Sequence, residues 1–424
     1  MQDSPIAQKA TDTDNETNPP TERFFTPPTY TMKQIHDAIP AHCFQRNTLL
    51  SAAYVLRDFL FIAILFYLST HISNLPSHFL RTSAWCLYSF CQGLVFTGLW
   101  ELAHECGQGS GSAIKGGLFP IVRALLTGVP NSGALSKHKS FNNYVGLFIH
   151  SLLLVPYNGW RITHSTHHKS TNNIERDIAF VPDTKEVHLK LHENRKPELF
   201  FSYWSLVEDT PLIAFLTLFG HQLIAWPIYL TINNFALPRM NVFPWWTRSH
   251  FYYGGDGPNF KPSDRDDIIM SNFGLAVVIA GLWASVNFLG FEKVFLLYGA
   301  PWLWTNHWIL AITYLQHTDP ALPYYQTSSW SFLRGAASTV DRDFGFIGRC
   351  FFHGAIDFHV LHHHVSRIPF YHAVEANEAI KKVMGTHYQS DRKSPFLWAF
   401  WKNYTKCRFV EEKDVGSNIY FFAK

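Results

Sequence analysis

Two distant stretches of the chain carry histidines in one spacing. The first reads Trp160-Arg-Ile-Thr-His164-Ser-Thr-His167-His168, and the second reads His359-Val-Leu-His362-His363 with His364 following. A third motif, His104-Glu-Cys-Gly, ends an apolar run. In a helix the three histidines of H-x-x-H-H share one face, because i, i+3 and i+4 are neighbours. One triplet can therefore aim three nitrogens at one place. Imidazoles in this number beside hydrophobic segments point to a metal site at a membrane surface. That reading constrains the fold. Both triplets and His104 must emerge on one side, so the apolar runs between them must cross in pairs.

Apolar residues make up 47% of the chain and charged residues only 16%, against about 25% charged in an average soluble domain. The first apolar run, about 52–72, carries Arg57 and Asp58 near its start, where they can reach the interface. The second, 83–103, delivers His104. Each is near the ~20 residues that cross a hydrocarbon core. The link at 73–81 is short, which predicts a hairpin. The run 144–157 is too short to cross and would lie in the interface or dip in.

Three apolar runs follow the first triplet: 211–232, 273–289 and 294–315. Three crossings would strand the second triplet on the wrong side. The last two are joined by a few residues around Glu292 and predict a second hairpin. The run 211–232, interrupted by Gly220, His221 and Pro227, is assigned as interfacial or re-entrant, leaving the loop 233–270 cytosolic. Residues 32–44 predict an interfacial helix. Residues 1–30 are rich in Thr, Pro and Asp, lack the apolar core of a signal peptide, and read as a disordered cytosolic tail. The expected fold is an all-α integral membrane protein over 31–424, with four transmembrane helices in two hairpins under a cytosolic histidine-rich cap.

His317, in Y-L-Q-H-T, ends the second hairpin on the same face. With His104 and the triplets it makes eight candidates: His104, His164, His167, His168, His317, His359, His362 and His363. A structural zinc site takes four ligands, so eight fit two metals better. Ligand type alone leaves iron, zinc, copper and nickel open. His71 reads as solvated, His221 and His307 as packing or interfacial residues, and the Trp and Phe runs as lipid-facing or interfacial. The six scattered cysteines read as small apolar residues in a reducing setting. A net charge of +3 is too small to argue for nucleic acid. There is no P-loop, Gly-rich nucleotide fingerprint, G-x-S-x-G or H-P-G-G haem-domain pattern.

The chain resembles the membrane fatty acyl desaturases, most closely the plant and fungal oleate (Δ12) desaturases of the endoplasmic reticulum. The motifs that carry the likeness are I-P-A-H-C-F (39–44), A-H-E-C-G (103–107), the first triplet with E-R-D-I-A-F-V-P (175–182), T-Y-L-Q-H-T-D-P-A-L-P (313–323), and H-V-L-H-H with P-F-Y-H-A (369–373). The resemblance implies a cytosolic non-haem diiron centre with the eight histidines as iron ligands, and no catalytic residue beyond them. It also implies dioxygen as oxidant, electrons from cytochrome b5 and its NADH-dependent reductase, and an acyl lipid substrate, oleoyl converted to linoleoyl. An ω3 desaturase, a hydroxylase or an acetylenase would use the same scaffold. The chemistry agrees, since no group acidifies a mid-chain methylene and an oxidising centre is needed. Glu105, Glu175 and Asp177 are candidates to orient ligands from behind. The terminal S-N-I-Y-F-F-A-K reads either as an aromatic retrieval signal or as a plain disordered end.

One departure matters. The family's first motif is H-x-x-x-H, but here the second position is Gln108, a poorer iron ligand. Residues 109–132 follow as an atypical insertion with a glycine-rich start. His138 would replace the missing ligand only if that segment folded back; the alternative of another class is a catalytically silent or impaired membrane protein with a broken first motif. We read the insertion as a translated intron or a mis-joined gene segment. Sequencing of mature messenger is expected to lack it; finding it there refutes that origin.

Overall fold

The computed structural model describes residues 26–108, 133–179, 181–193, 210–233, 240 and 242–423. Residues 1–25 of the expected tail and the insertion 109–132 lie outside them. Helix α1 (Met32–Ala38) opens on a capping box between Thr31 and Gln34. Helices α2 (Thr48–Ser69) and α3 (His78–Gly107) follow, capped by Asn47 and Ser77 side chains that accept from Leu50 N and Leu80 N. They form the first expected hairpin. Next come α4 (Lys139–Leu152), α5 (Tyr157–His168), α6 (Pro211–Ile232) and α7 (Arg265–Leu289). Gly290, at φ 83°, reverses the chain in one residue. The return leads through a π-helical turn, Phe295–Gly299, into α8 (Ala300–His317). Although α7 and α8 are joined so tightly, α7 leans mainly on α4 and α5, while α8 packs on α3 and α6.

The centre is the α3–α8 pair. At Gly93 a Cβ would lie 2.4 Å from Trp304 Cβ, so the helices approach as closely as glycine allows. Three helical stretches among the described residues are long and apolar enough to cross a membrane: Thr48–Asn74, Pro211–Ile232 and Pro262–Leu289. α3 and α8 fall short of that composition because they are interior helices. They bury Gln92, Thr97, Glu101 and Glu105 on one, and Thr305, Asn306 and Gln316 on the other.

Two expectations are corrected here. Residues 211–232 form an unbroken helix; Gly220, His221 and Pro227 do not interrupt it. An apolar segment keeps its backbone groups paired internally even around a proline. Asp58 does not reach the interface. It is buried, 2.8 Å from His353 Nε2, and its other oxygen accepts from Arg57 at 2.8 Å. A buried carboxylate needs such partners, so Asp58 ties α2 to the segment before the second triplet.

The C-terminal part carries α9 (His359–His364), α10 (Ala373–Met384) and α11 (Phe396–Lys406). It also holds short strands, so the fold is mainly, not wholly, helical. Strand β1 (Tyr324–Tyr325), β4 (Val410–Glu412) and β5 (Ile419–Phe422) form an antiparallel sheet in the order β1-β5-β4. β2 (Asp341–Arg342) pairs in parallel with β3 (Ser390–Asp391). The aromatic C-terminal segment is thus a folded strand, with Phe422 packed beside Tyr324, Cys407 and Val410.

The first triplet is held by close contact. A Cβ on Gly159 would lie 2.3 Å from the His250 carbonyl oxygen, and Asn158 N donates to Ser271 Oγ at 2.8 Å. Gly281, by contrast, faces open space. Gly159→Ala is expected to cost about 1–3 kcal/mol and to lower the thermal unfolding midpoint in detergent, while Gly281→Ala, in a helix interior with open space around it, does not lower it. Equal midpoints for the two variants would show that α5 is not held there.

Candidate metal centre

All eight candidate histidines converge, in two adjoining quartets. His104, His164, His168 and His362 form the first, and His167, His317 and His363 the core of the second. His359 joins the second through Nε2, 2.9 Å from His317 Nε2. Spacing explains the division. The first triplet sends its i, i+4 pair, His164 and His168, to the first quartet and His167 to the second. The second triplet does the reverse: His359 and His363 go to the second quartet and His362 to the first. The expectation that one triplet aims all three nitrogens at one place is therefore corrected; each triplet splits two and one. α3 and α8 each end in one member, His104 and His317.

The distances suit ligation. Two nitrogens about 2.1 Å from one metal and at right angles are about 3.0 Å apart. Here Nε2–Nε2 separations are 2.9 Å for His104–His164, 3.0 Å for His164–His168, 3.3 Å for His167–His317 and 2.9 Å for His317–His359. His168 and His363 stack at 4.2 Å across the boundary between quartets. His362 Nε2 and His363 Nε2 are buried without a hydrogen-bond partner. Such orphaned nitrogens call for an explanation, and a metal in each quartet supplies one. Burial pushes the His164, His168, His359, His362 and His363 imidazoles well below their ordinary range, and neighbouring imidazoles act in the same direction. They are neutral at physiological pH, the form that binds metal.

Groups behind the rings set their orientation. His167 Nδ1 lies 2.8 Å from Asp177 Oδ1, so its N–H donates there and Nε2 faces the quartet. Thr171 Oγ1 is 3.1 Å from His363 Nδ1. Glu105 lies 3.6 Å from His104 Nδ1 and 3.8 Å from His362 Nδ1, behind both rings. Glu175 takes no part; it is exposed and accepts from Thr327 N. Trp100 stacks on His104 at 5.6 Å and Trp160 on His164 at 4.5 Å. These two rings wall the centre and do not face lipid as expected. Each stands four residues before its histidine, one helical turn, which is the signal that marks them in the sequence.

Gln108 does stand at the first quartet. It is buried, with its amide nitrogen 2.9 Å from His104 Nε2. Exchanging amide oxygen and nitrogen turns an oxygen toward the same point. His138 is exposed at the start of α4 and belongs to neither quartet. His364 turns away, bonded to Tyr30 OH at 2.9 Å and to the Val360 carbonyl at 2.7 Å. His307 meets Gln222 Oε1 at 2.8 Å, and His221 faces Tyr404.

A cavity of about 680 Å³ adjoins the quartets, within the ~300–1,000 Å³ of small-molecule sites. Its wall includes His104, His164, His167, His317, His359 and His362. The rest is mostly apolar, with Leu218, Ala225 and Trp226 on α6, Leu310 on α8, and Phe400 on α11.

Residues 81–395 match the family described as fatty acid desaturase. The chain is 41% identical over 417 residues to an oleate hydroxylase of Claviceps purpurea, covering 94% of this chain and 82% of that protein. It is 38% identical over 407 residues to a Delta(12) fatty acid desaturase of Mortierella alpina, covering 95% and 93%. It is 35% identical over 399 residues to a Delta(12)-fatty-acid desaturase of Vernicia fordii, covering 94% and 92%.

The hydrogen bond behind His167 is directly testable. Asp177→Asn removes the carboxylate that holds its tautomer and is expected to weaken metal retention about 10–100-fold. Metal analysis after timed dialysis against chelator reads this, with Glu175→Gln as a control that retains metal like the unaltered protein.

Proposed function

The chain belongs to the fatty acid desaturase family, a membrane-bound group of oxidoreductases, and from that premise we propose that it inserts a second cis double bond into a monounsaturated acyl chain, oleoyl to linoleoyl (Δ12), on a membrane phospholipid. The observation that carries this reading is the convergence of eight imidazoles beside one apolar cavity, six of them on its wall. In this reading the quartets hold two non-haem irons. Bound there, the iron pair would supply the oxidising power, drawn from dioxygen, that takes hydrogens from unactivated methylenes. Cytochrome b5 and NADH-cytochrome b5 reductase would supply the electrons.

The chain's own residues do the positioning. The apolar wall holds a lipid tail by burial, about 0.8 kcal/mol per methylene, and the depth of the cavity sets which carbons reach the histidines. Trp100 and Trp160 exclude water and fix two imidazoles. Asp177 keeps the His167 proton on Nδ1, leaving Nε2 free to ligate. Gln108 would offer an iron bound in the first quartet a neutral amide where the family has imidazole.

The proposed topology keeps four crossings, α2, α3, α7 and α8, with the histidine cap facing the cytosol from the endoplasmic reticulum. Parity supports it. His168 and His317 stand in adjoining quartets, with α6, α7 and α8 between them, so one of these three does not cross fully. α6, which walls the cavity, is the one assigned to enter the bilayer from the cap side.

Hydroxylation of the same acyl chain is the second reading, favoured by the 41% identity to an oleate hydroxylase. Expression in a host that makes oleate but no dienes separates the two. New linoleate supports desaturation, and a hydroxy acid supports hydroxylation. Iron-loaded protein that makes neither refutes the proposal.

Two variants refine it. Ala225→Trp fills the cavity and is expected to abolish product while iron content holds; full activity would place the substrate elsewhere. Gln108→His is expected to raise iron retention and product severalfold. An unchanged iron content would show that position 108 lies outside the coordination sphere.

A further inference from the structure

Away from the quartets, the turn Ala41–Phe44 meets the start of α10. There His42, Cys43 and His372 bring one nitrogen, one sulfur and one nitrogen within 4.8 Å of one another. His42 Nε2 is 3.7 Å from Cys43 Sγ and 2.7 Å from Glu375 Oε2. We propose that His42, Cys43 and His372 bind a zinc ion, with the neighbouring Glu375 carboxylate turning from His42 to the metal as fourth ligand, and that the ion fastens the N-terminal segment to the helix following the second triplet.

The donor set carries the assignment. Two imidazoles, a thiolate and a carboxylate suit zinc, which favours mixed N/S tetrahedra in structural sites. In a tetrahedron with Zn–S about 2.3 Å and Zn–N about 2.0 Å, sulfur and nitrogen lie about 3.5 Å apart, close to the 3.7 Å between His42 Nε2 and Cys43 Sγ. The His42 and Glu375 side chains are 52% and 54% exposed, which leaves an entry path. Cys43 is fully enclosed, so the site has one buried anchor and an open front.

The two segments are already in register. Asn47 N donates to Tyr371 OH at 2.7 Å, and Ile35, Ile39 and Cys43 share an apolar cluster with Ala373, Ala376 and Ile380. A ligand set held in place this way binds without first ordering the chain. His372 also hydrogen-bonds the Gln45 backbone, which orients its ring. Burial, and then the Glu375 carboxylate, raise the Cys43 thiol from its ordinary value, so without metal it is protonated. Zinc displaces that proton, which leaves to bulk water, and the Zn–S bond replaces S–H with no change of oxidation state.

The test uses the full chain, purified with its iron and equilibrated with one equivalent of zinc. X-ray absorption at the zinc edge is expected to show a sulfur neighbour at about 2.3 Å. The histidine quartets contain no sulfur, so zinc lodged there cannot produce this signal. A zinc spectrum with only nitrogen and oxygen neighbours, or protein that retains no zinc, overturns the proposal. His42→Ala is expected to lower retained zinc to background with iron unchanged; undiminished zinc in that variant overturns it as well. If the variant loses both metals, the sulfur signal of the unaltered protein decides.

Discussion

Each histidine triplet is divided between two sites, and the rest of the architecture serves that division. H-x-x-H-H on a helix cannot converge on a single point when a second metal position lies beside the first. Its outer pair, one turn apart, clasps one position, and its middle residue reaches the other. Two such helices, α5 and α9, placed opposite each other supply three members to each position reciprocally. Neither quartet can assemble from one stretch of chain, so the centre exists only when residues far apart in sequence are docked together.

The remaining two members come from the ends of α3 and α8, the interior pair of the bundle. Their close approach at Gly93 brings His104 and His317 to adjoining quartets. The polar side chains these helices bury are tolerated because neighbouring helices, not lipid, surround them. The same pair, with α6, shapes the cavity that adjoins the centre. Helix packing, imidazole placement and the apolar wall are thus one construction. Eight imidazoles gathered this closely leave ring nitrogens without partners. Metal binding would offset that cost and couple the final docking of α5 and α9 to the ions.

Much of this was legible in the chain. The repeated spacing marks six of the eight histidines, the ends of apolar runs mark His104 and His317, and apolar runs of span length mark the long helices. The family likeness rests on motifs that the comparisons match over most of the chain. What escaped was tertiary. A triplet shows that three histidines share a face but says nothing of two neighbouring positions behind it. Proline, glycine and histidine in 211–232 argue locally for a break, yet the helix continues. Asp58 was placed at the interface because its partner, His353, lies in a segment that no local pattern connects to it. Trp100 and Trp160 looked like lipid-facing rings until their helices were set beside the imidazoles. The aromatic C-terminal strand needed β1, far upstream, as its template. Gln108, recognised as a departure, still stands beside His104 at the first quartet, because helix periodicity puts position 108 one turn beyond His104 whatever residue stands there.

The account depends most on the reciprocal division of the two triplets. Crystals of the iron-loaded protein, measured for anomalous scattering above and below the iron edge, test it directly. Two iron peaks are predicted, one enclosed by His104, His164, His168 and His362, the other by His167, His317, His359 and His363. A single peak, or an iron ligated by all three histidines of one triplet, would contradict it.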